Sequence, residues 1–139
     1  DGGDRPRAIR ALAFEAAREA ALGVRLLDRH SARLLAAVRR MAESTGDAYE
    51  RAWLHQCVGG SAYFRGQWRA AFDGCAEAIE LWRRHCRGVS WEIATSESFA
   101  VSALAHLGDL ERLRTRLPDA IADADRRGDA YAGTGLRLG

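Results

Sequence analysis

The sequence predicts an all-α solenoid of about seven antiparallel helices, and three observations support this fold class. Ala, Arg and Leu are the commonest of the 139 residues, Pro occurs only twice, and no segment alternates apolar and polar residues as a strand does. Gly residues recur along the chain at a regular long spacing. Apolar residues recur at three- and four-residue steps, which places them on one face of a helix.

The Gly residues divide the chain into helical hairpins. One series is spaced by 42 and 40 residues and a second by 43 and 42; the members are Gly46, Gly88 and Gly128, and then Gly23, Gly66 and Gly108. Gly readily takes the left-handed conformation just after the last residue of a helix. Two interleaved series therefore indicate two helices in each repeat.

The positions of these Gly residues predict where the helices begin and end. They are expected at Pro6–Leu22, Ser31–Ser44, Asp47–Arg65, Gln67–Arg84, Ser90–Leu107 and Asp109–Arg126, with a last helix from Asp129. Asp or Ser stands at each of the last five predicted starts except that at Gln67, and these residues suit an N-cap or first-turn position, where a short acceptor pairs with backbone N–H groups. These residues are Asp47, Ser90, Asp109 and Asp129.

The short connections make successive helices antiparallel neighbours. The sequence thus predicts one helical-repeat domain over residues 1–139, with hairpins at about 6–44, 47–86 and 89–126 and a further helix from 129. A kink is expected where Pro118 falls inside the sixth helix.

Charge and cysteine usage exclude several classes of protein. All 21 basic residues are Arg, they are interleaved with 19 acidic residues, and the net charge is only +2. This pattern fits solvated helix faces and argues against a nucleic-acid partner. Three Cys without a C-x-x-C spacing argue against a disulfide framework or a zinc site and favour a cytoplasmic setting. No apolar run approaches 18 residues, so no membrane span is expected.

No catalytic residue, cofactor or metal site is predicted. No two of the four His share a helix at a spacing of four residues; they are His30, His55, His85 and His106. Glu92 and Glu97 are five residues apart and do not face each other on a helix. Cys57 and Cys75 are expected to be buried as small apolar side chains.

The region around Gly66 resembles a tetratricopeptide motif. With Gly66 at the hairpin turn, Gly59 of the first helix and Ala71 and Ala78 of the second stand at the small-residue positions of that family. The next unit has Val101, Leu113 and Ala120 there, and the repeat exceeds the usual 34 residues. The resemblance implies a right-handed α-α superhelix that is tetratricopeptide-like.

In that family the first helix of each hairpin lines a concave groove. The resemblance implies groove positions in two units, at Trp53, Gln56, Gly60 and Tyr63 and at Thr95, Ser98, Ser102 and His106. Aromatic rings beside small polar groups suit the binding of a peptide. The alternative, that Trp53 and Tyr63 only pack between helices, stays open. Trp68, Trp82 and Trp91 are predicted to be core residues.

Three segments resemble the C-terminal helical-repeat region of large bacterial serine/threonine protein kinases. They are Cys86-Arg87-Gly88-Val89-Ser90-Trp91-Glu92, Leu107-Gly108-Asp109-Leu110 and Arg127-Gly128-Asp129-Ala130-Tyr131. The resemblance implies a regulatory or partner-recognition segment behind a kinase domain and an ATPase-like module. The chain has no Gly-rich phosphate loop, His-Arg-Asp or Asp-Phe-Gly motif. The sequence begins without Met, and the helix that opens at Asp129 is cut off at Gly139, so we expect a fragment of a longer solenoid.

Three functional hypotheses remain at this point. In the leading one, the chain is a protein-interaction scaffold that binds a peptide or partner domain in its groove. In the second, the repeats dock on the kinase or ATPase module of their own parent chain, or dimerise it. In the third, a pocket between helices senses a small molecule.

Overall fold

The computed structural model describes residues 4–23 and 28–138, which form seven helices and no strand. Every predicted helix is found, with its ends within three residues of the prediction, so the all-α class is confirmed. The helices are α1 (Asp4–Ala21), α2 (Asp28–Thr45), α3 (Ala48–Phe64), α4 (Trp68–His85), α5 (Ser90–Leu107), α6 (Leu110–Arg126) and α7 (Ala130–Leu138).

The predicted Gly turns are confirmed. All six Gly residues of the two series have a left-handed backbone, with φ between 66° and 72°. After α3, the N–H of Gly66 donates to the carbonyl of Tyr63 and the N–H of Gln67 to that of Ala62, both at 2.9 Å. The same pair of bonds closes the turns at Gly108 and Gly128. These bonds satisfy the last carbonyls of each helix and stop it at the Gly.

Aspartates begin three of the helices, as predicted. The carboxylate of Asp47 accepts hydrogen bonds from two backbone N–H groups in the first turn of α3, at 2.7 and 3.1 Å. The carboxylates of Asp109 and Asp129 each accept one such bond, at 3.2 and 3.0 Å. Ser90 is the first residue of α5, whose N-cap is Val89. Each aspartate pairs backbone donors that have no partner inside the helix.

α3 and α4 form an antiparallel hairpin and contact each other more extensively than any other pair. Ala62 packs with Ala71 near the turn, and Ala52 packs with Ala78 at the far end. The small residues predicted at this interface are therefore buried against the opposite helix.

The backbones of α3 and α4 approach most closely at Gly59. A Cβ on Gly59 would lie 2.6 Å from the Sγ and 2.8 Å from the backbone N of Cys75. A Cβ on Gly74 would in turn lie 2.9 Å from the Cα of Gly59. No side chain larger than hydrogen fits at this contact, which explains the Gly in mid-helix.

The following hairpin is looser. Val101 and Leu113 occupy positions equivalent to Gly59 and Ala71, and both are half-buried. α5 and α6 contact each other much less extensively than α3 and α4. Larger side chains at the interface hold the two helix axes further apart. Pro118 lies within α6, which is continuous from Leu110 to Arg126.

The tryptophans divide between core and surface. Trp82 is fully buried, as predicted, and packs with Ala78 and Val89. Trp68 is half-buried. The prediction for Trp91 was wrong, because its side chain is 57% exposed. Val89 and Ile93 pack against Trp82 from one face of α5. Trp91 lies midway between them in the sequence, so its side chain lies on the opposite face of the helix.

Cys57 and Cys75 are buried as predicted. Within the two described ranges, no helix is long and apolar enough to span a bilayer.

Candidate functional site

A cleft of about 350 Å³ lies on the face that carries α1, α3 and α5. Every residue that lines it belongs to one of these three helices. Most of the side chains are apolar; the lining residues are Phe14, Ala17, Arg18 and Ala21 of α1, Trp53, Gln56, Cys57, Gly60 and Phe64 of α3, and Trp91, Thr95 and Phe99 of α5.

A second cleft of about 470 Å³ continues from the first between α5 and α7. Trp91 and Thr95 line both clefts and therefore join them. Its other lining residues are Ser90, Ala94 and Ser98 of α5 and Asp129, Tyr131 and Ala132 at the start of α7. Together the two clefts form a surface made by the first helix of each hairpin, which we call the odd-helix groove.

Exposed aromatic side chains concentrate in the odd-helix groove. Among the described residues, seven large apolar side chains are exposed, and four of them line the groove. These four are Phe14 (55% exposed), Phe64 (47%), Trp91 (57%) and Tyr131 (87%). Single exposed apolar residues are common on protein surfaces, whereas a group of them along one concave region is a feature that surfaces contacting proteins, membranes or ligands share.

Gln56 is a buried polar residue in the lining of the first cleft. Its residue surface is only 7% exposed. Its carboxamide oxygen is buried and accepts no hydrogen bond from the part of the chain that the structure describes. A buried polar atom without a partner is rare in native proteins because it loses its hydration and gains nothing in return.

Hydrogen bonds between the odd helices hold the groove in shape. The indole N–H of Trp53 donates to the backbone carbonyl of Arg10 at 3.1 Å, which joins α3 to α1. The Tyr49 hydroxyl donates to the Glu92 carboxylate at 2.8 Å, which joins α3 to α5. Burial, together with this bond, raises the pKa of Tyr49 to about 12, so the phenol remains a donor at neutral pH.

The charge of the groove is low. Arg18 at the edge of the first cleft pairs with Glu15 of the same helix at 2.8 Å. Asp129 in the second cleft accepts the N–H of Ala132 and also pairs with Arg127. Shape and apolar area therefore dominate what this surface offers a ligand.

Three of the predicted groove residues lie elsewhere. Tyr63 and His106 pack around Trp68, with ring centroids 5.3 Å apart for Tyr63–Trp68 and 4.2 Å apart for the stacked pair Trp68–His106. The His106 Nδ1–H donates to the carbonyl of Ser102 at 2.8 Å. These residues form an aromatic cluster at the α3–α4 turn and the end of α5, and neither cleft includes Tyr63, Ser102 or His106.

Trp53, Gln56, Gly60 and Thr95 come together in the first cleft, and Ser98 lies in the second. The residues that the sequence reasoning missed are Phe14, Phe64, Phe99, Trp91 and Tyr131. Phe64 had a detectable signal, because it lies four residues after Gly60 on the same face of α3.

The cysteine that lines the cleft is a poor nucleophile. Burial raises the pKa of the Cys57 thiol to about 12, and that of Cys75 behind it equally. The thiolate is the reactive form of cysteine, so both side chains act here as packing groups.

Two acidic side chains away from the groove are buried in polar contacts. The Glu97 carboxylate binds Arg116 of α6 at 2.9 Å and Arg83 of α4 at 3.3 Å, and burial raises its pKa. Glu19 accepts hydrogen bonds from the Ser31 hydroxyl at 2.7 Å and from His30 Nδ1 at 2.8 Å. Because Ser31 and His30 bind the same carboxylate, this trio joins α2 to α1.

Among the described residues, no group of three His, Cys, Asp or Glu side chains is placed to hold a metal ion. In comparisons with known proteins, the chain matches no family model, no curated protein and no solved structure.

Proposed function

We propose that the chain is a non-catalytic interaction scaffold that holds a peptide segment of a partner protein in the odd-helix groove. The observation that carries the proposal is the convergence of Phe14, Phe64, Trp91 and Tyr131 on two adjoining clefts. Large aromatic side chains dominate the binding energy of protein interfaces because each supplies much buried area at low entropic cost.

The proposed architecture is a tetratricopeptide-like, right-handed superhelix. Two features support it. The first helices of successive hairpins share one face, and the hairpin from α3 to α4 packs through small residues at Gly59, Ala71 and Ala78. Stacked hairpins of this type present a concave surface to partners.

The proposed setting is a bacterial signalling protein with a serine/threonine kinase domain. This part of the proposal rests on the three segments around Gly88, Gly108 and Gly128 that resemble the repeat region of such kinases. The partner is then either a separate protein or the kinase or ATPase module of the parent chain.

A peptide-display experiment tests the proposal. A library of random twelve-residue peptides is selected on the immobilised protein, and the affinity of the enriched peptides is measured by fluorescence anisotropy. Trp91→Ala should weaken binding at least 30-fold, because the exposed part of the ring is the area left for a partner. Leu110→Ala is the matched control, since Leu110 is also 57% exposed but lies outside the groove. It should change the affinity less than twofold.

Two results would count against a peptide-binding scaffold. In the first, no peptide is enriched, or the enriched peptides bind Trp91→Ala as tightly as the unaltered protein. In the second, sedimentation shows a stable dimer that Trp91→Ala dissociates, which would assign the groove to self-association.

A small-molecule sensor is the second candidate function. The first cleft, of about 350 Å³, falls within the roughly 300–1,000 Å³ typical of ligand pockets. A metabolite that raises the melting temperature of the unaltered protein but not that of Trp91→Ala would favour this function.

A further inference from the structure

We propose that the side of α3 opposite the odd-helix groove carries a second binding site, which takes a small organic phosphate. Two adjoining clefts of about 340 and 430 Å³ lie between α2 and α3, and Arg39 and Val58 line both of them. We call the two together the arginine cleft. Its α3 residues lie on the other side of the helix from those of the groove, so this site is independent of the proposed function. These α3 residues are Arg51, Leu54, His55 and Val58.

Three arginines of the arginine cleft have no carboxylate partner. Arg39, Arg40 and Arg51 are exposed and form no ion pair within the part of the chain that the structure describes, whereas arginines of α1, α4 and α6 do. Glu43 also lines the cleft and lies four residues after Arg39 on α2, yet it does not pair with it. Like charges that converge in a cleft repel each other and attract an anion from solution.

The arginines favour a phosphate over a carboxylate. A guanidinium group donates two parallel hydrogen bonds to either anion, and Arg39 of α2 and Arg51 of α3 reach the cleft from different helices. A carboxylate has one charge and two oxygens, which a single guanidinium group occupies. A phosphate monoester has up to two charges and three terminal oxygens, so it can pair with both arginines.

The remaining walls of the arginine cleft suit the organic part of such a ligand. Six of the residues that line it are apolar; they are Ala32, Leu35, Ala36, Ala42, Leu54 and Val58. Each of the two clefts falls within the roughly 300–1,000 Å³ typical of sites for small molecules. Apolar surface beside the cations favours a phosphate ester with an apolar body over inorganic phosphate.

His55 adds a donor that depends on pH. Burial has the largest effect on its pKa and lowers it; Glu77 of α4 raises the pKa, and Arg39 and Arg51 lower it further. The imidazole is therefore largely neutral at pH 7 in the free protein. A bound anion stabilises the imidazolium form and raises the pKa of His55. Binding should then take up a proton and become tighter as the pH falls.

Calorimetric titration with phenyl phosphate tests the site. The unaltered protein should bind this probe saturably, and Arg39→Gln and Arg51→Gln should each weaken binding at least about 10-fold, as the loss of a charged hydrogen-bond donor does. Both residues are exposed and unpaired, so neither change should lower the melting temperature. Glu43→Gln should tighten binding about 2- to 3-fold, because it removes a negative charge beside the ligand.

Arg114→Gln is the matched control. Arg114 of α6 is likewise exposed and without an ion-pair partner among the described residues, but it lies outside the arginine cleft. Its replacement should change the affinity for phenyl phosphate less than twofold. Trp91→Ala, which alters the odd-helix groove, should also leave this affinity unchanged, so the two proposals can fail separately.

Phenyl sulfate isolates the titration of His55 from that of the ligand. A phosphate monoester changes its charge near pH 6, whereas a sulfate monoester keeps one negative charge from pH 6 to pH 8. The affinity of the unaltered protein for phenyl sulfate should rise about 3- to 10-fold from pH 8 to pH 6, because His55 takes up a proton on binding. His55→Gln should bind it equally at both pH values.

Three results would overturn the proposal. In the first, phenyl phosphate does not bind saturably. In the second, Arg114→Gln weakens binding as much as Arg39→Gln and Arg51→Gln do, so the arginine cleft is not the site. In the third, a polyglutamate peptide binds through Arg51 more tightly than phenyl phosphate does, which would assign this face to an acidic segment of a partner protein.

Discussion

Replacement of Gly59 by Ala should destabilise the fold, although Ala is the better helix former. The new Cβ would lie 2.6 Å from the Cys75 Sγ and 2.8 Å from the Cys75 backbone N. Atoms in contact prefer about 3.5–4.0 Å, so the two helices must separate by about 1 Å. Cys75 is fully buried and its N belongs to α4, so no flexible side chain can absorb the shift. Overpacking of this kind costs about 1–3 kcal/mol.

The neighbouring Gly60 provides the matched control. A Cβ at this position would lie 3.7 Å from the Phe99 Cε2, which is an ordinary contact. Both substitutions gain about 1 kcal/mol of helix propensity, and this gain cancels when the two variants are compared.

The difference between Gly59→Ala and Gly60→Ala therefore isolates the contact between α3 and α4. We expect about 1–3 kcal/mol, which corresponds to about 3–10 °C in melting temperature for an unfolding entropy of roughly 0.3 kcal/mol/K. Thermal unfolding followed by circular dichroism measures this difference. If both variants melt at the same temperature, α3 and α4 do not approach each other as described.

Three further predictions concern local chemistry. A thiol reagent at pH 8 should modify only Cys86 rapidly in the folded protein, since the other two thiols are buried, and Cys86→Ser should remove that fast phase. Burial raises the pKa of Glu97 above that of the unfolded chain, so this group's contribution to stability is present below about pH 4.5 and is lost as the pH rises through the folded value. Arg116→Leu should therefore destabilise the protein by about 2–3 kcal/mol at pH 7 and by less at pH 4.5 in urea unfolding. Arg112→Leu is the control, because it removes a cation at the same 5.5 Å from the Phe72 ring but leaves Glu97 its partners; its effect on stability should be equal at the two pH values. Asp47→Ala should cost about 1 kcal/mol because α3 loses its N-cap, and equal urea midpoints would contradict this role.

The helix ends could be predicted because local chemistry determines them. A Gly that must take positive φ and an Asp that pairs with free N–H groups act within a few residues of the chain. Gly46, Gly66, Gly88 and Gly108 therefore marked turns without any knowledge of tertiary contacts.

The groove was only partly predictable because its lining depends on which faces remain uncovered. Trp91 and Trp82 are both aromatic residues within long helices, yet one is 57% exposed and the other is fully buried. Phe14 lies in the first hairpin, where no small-residue pattern indicated the register of α1. The unpaired oxygen of Gln56 depends on its three-dimensional neighbours and has no signal in the sequence.

The central claim is that a ligand occupies the face shared by α1, α3, α5 and α7. The four tryptophans provide a direct measurement, because Trp53 and Trp91 line the first cleft while Trp82 lies in the core and Trp68 in the separate aromatic cluster. We expect a saturating amount of a selected peptide to shift the indole N–H resonances of Trp53 and Trp91 in an NMR spectrum and to leave those of Trp68 and Trp82 in place. If the peptide binds and the Trp53 and Trp91 resonances do not move, the ligand lies elsewhere on the molecule.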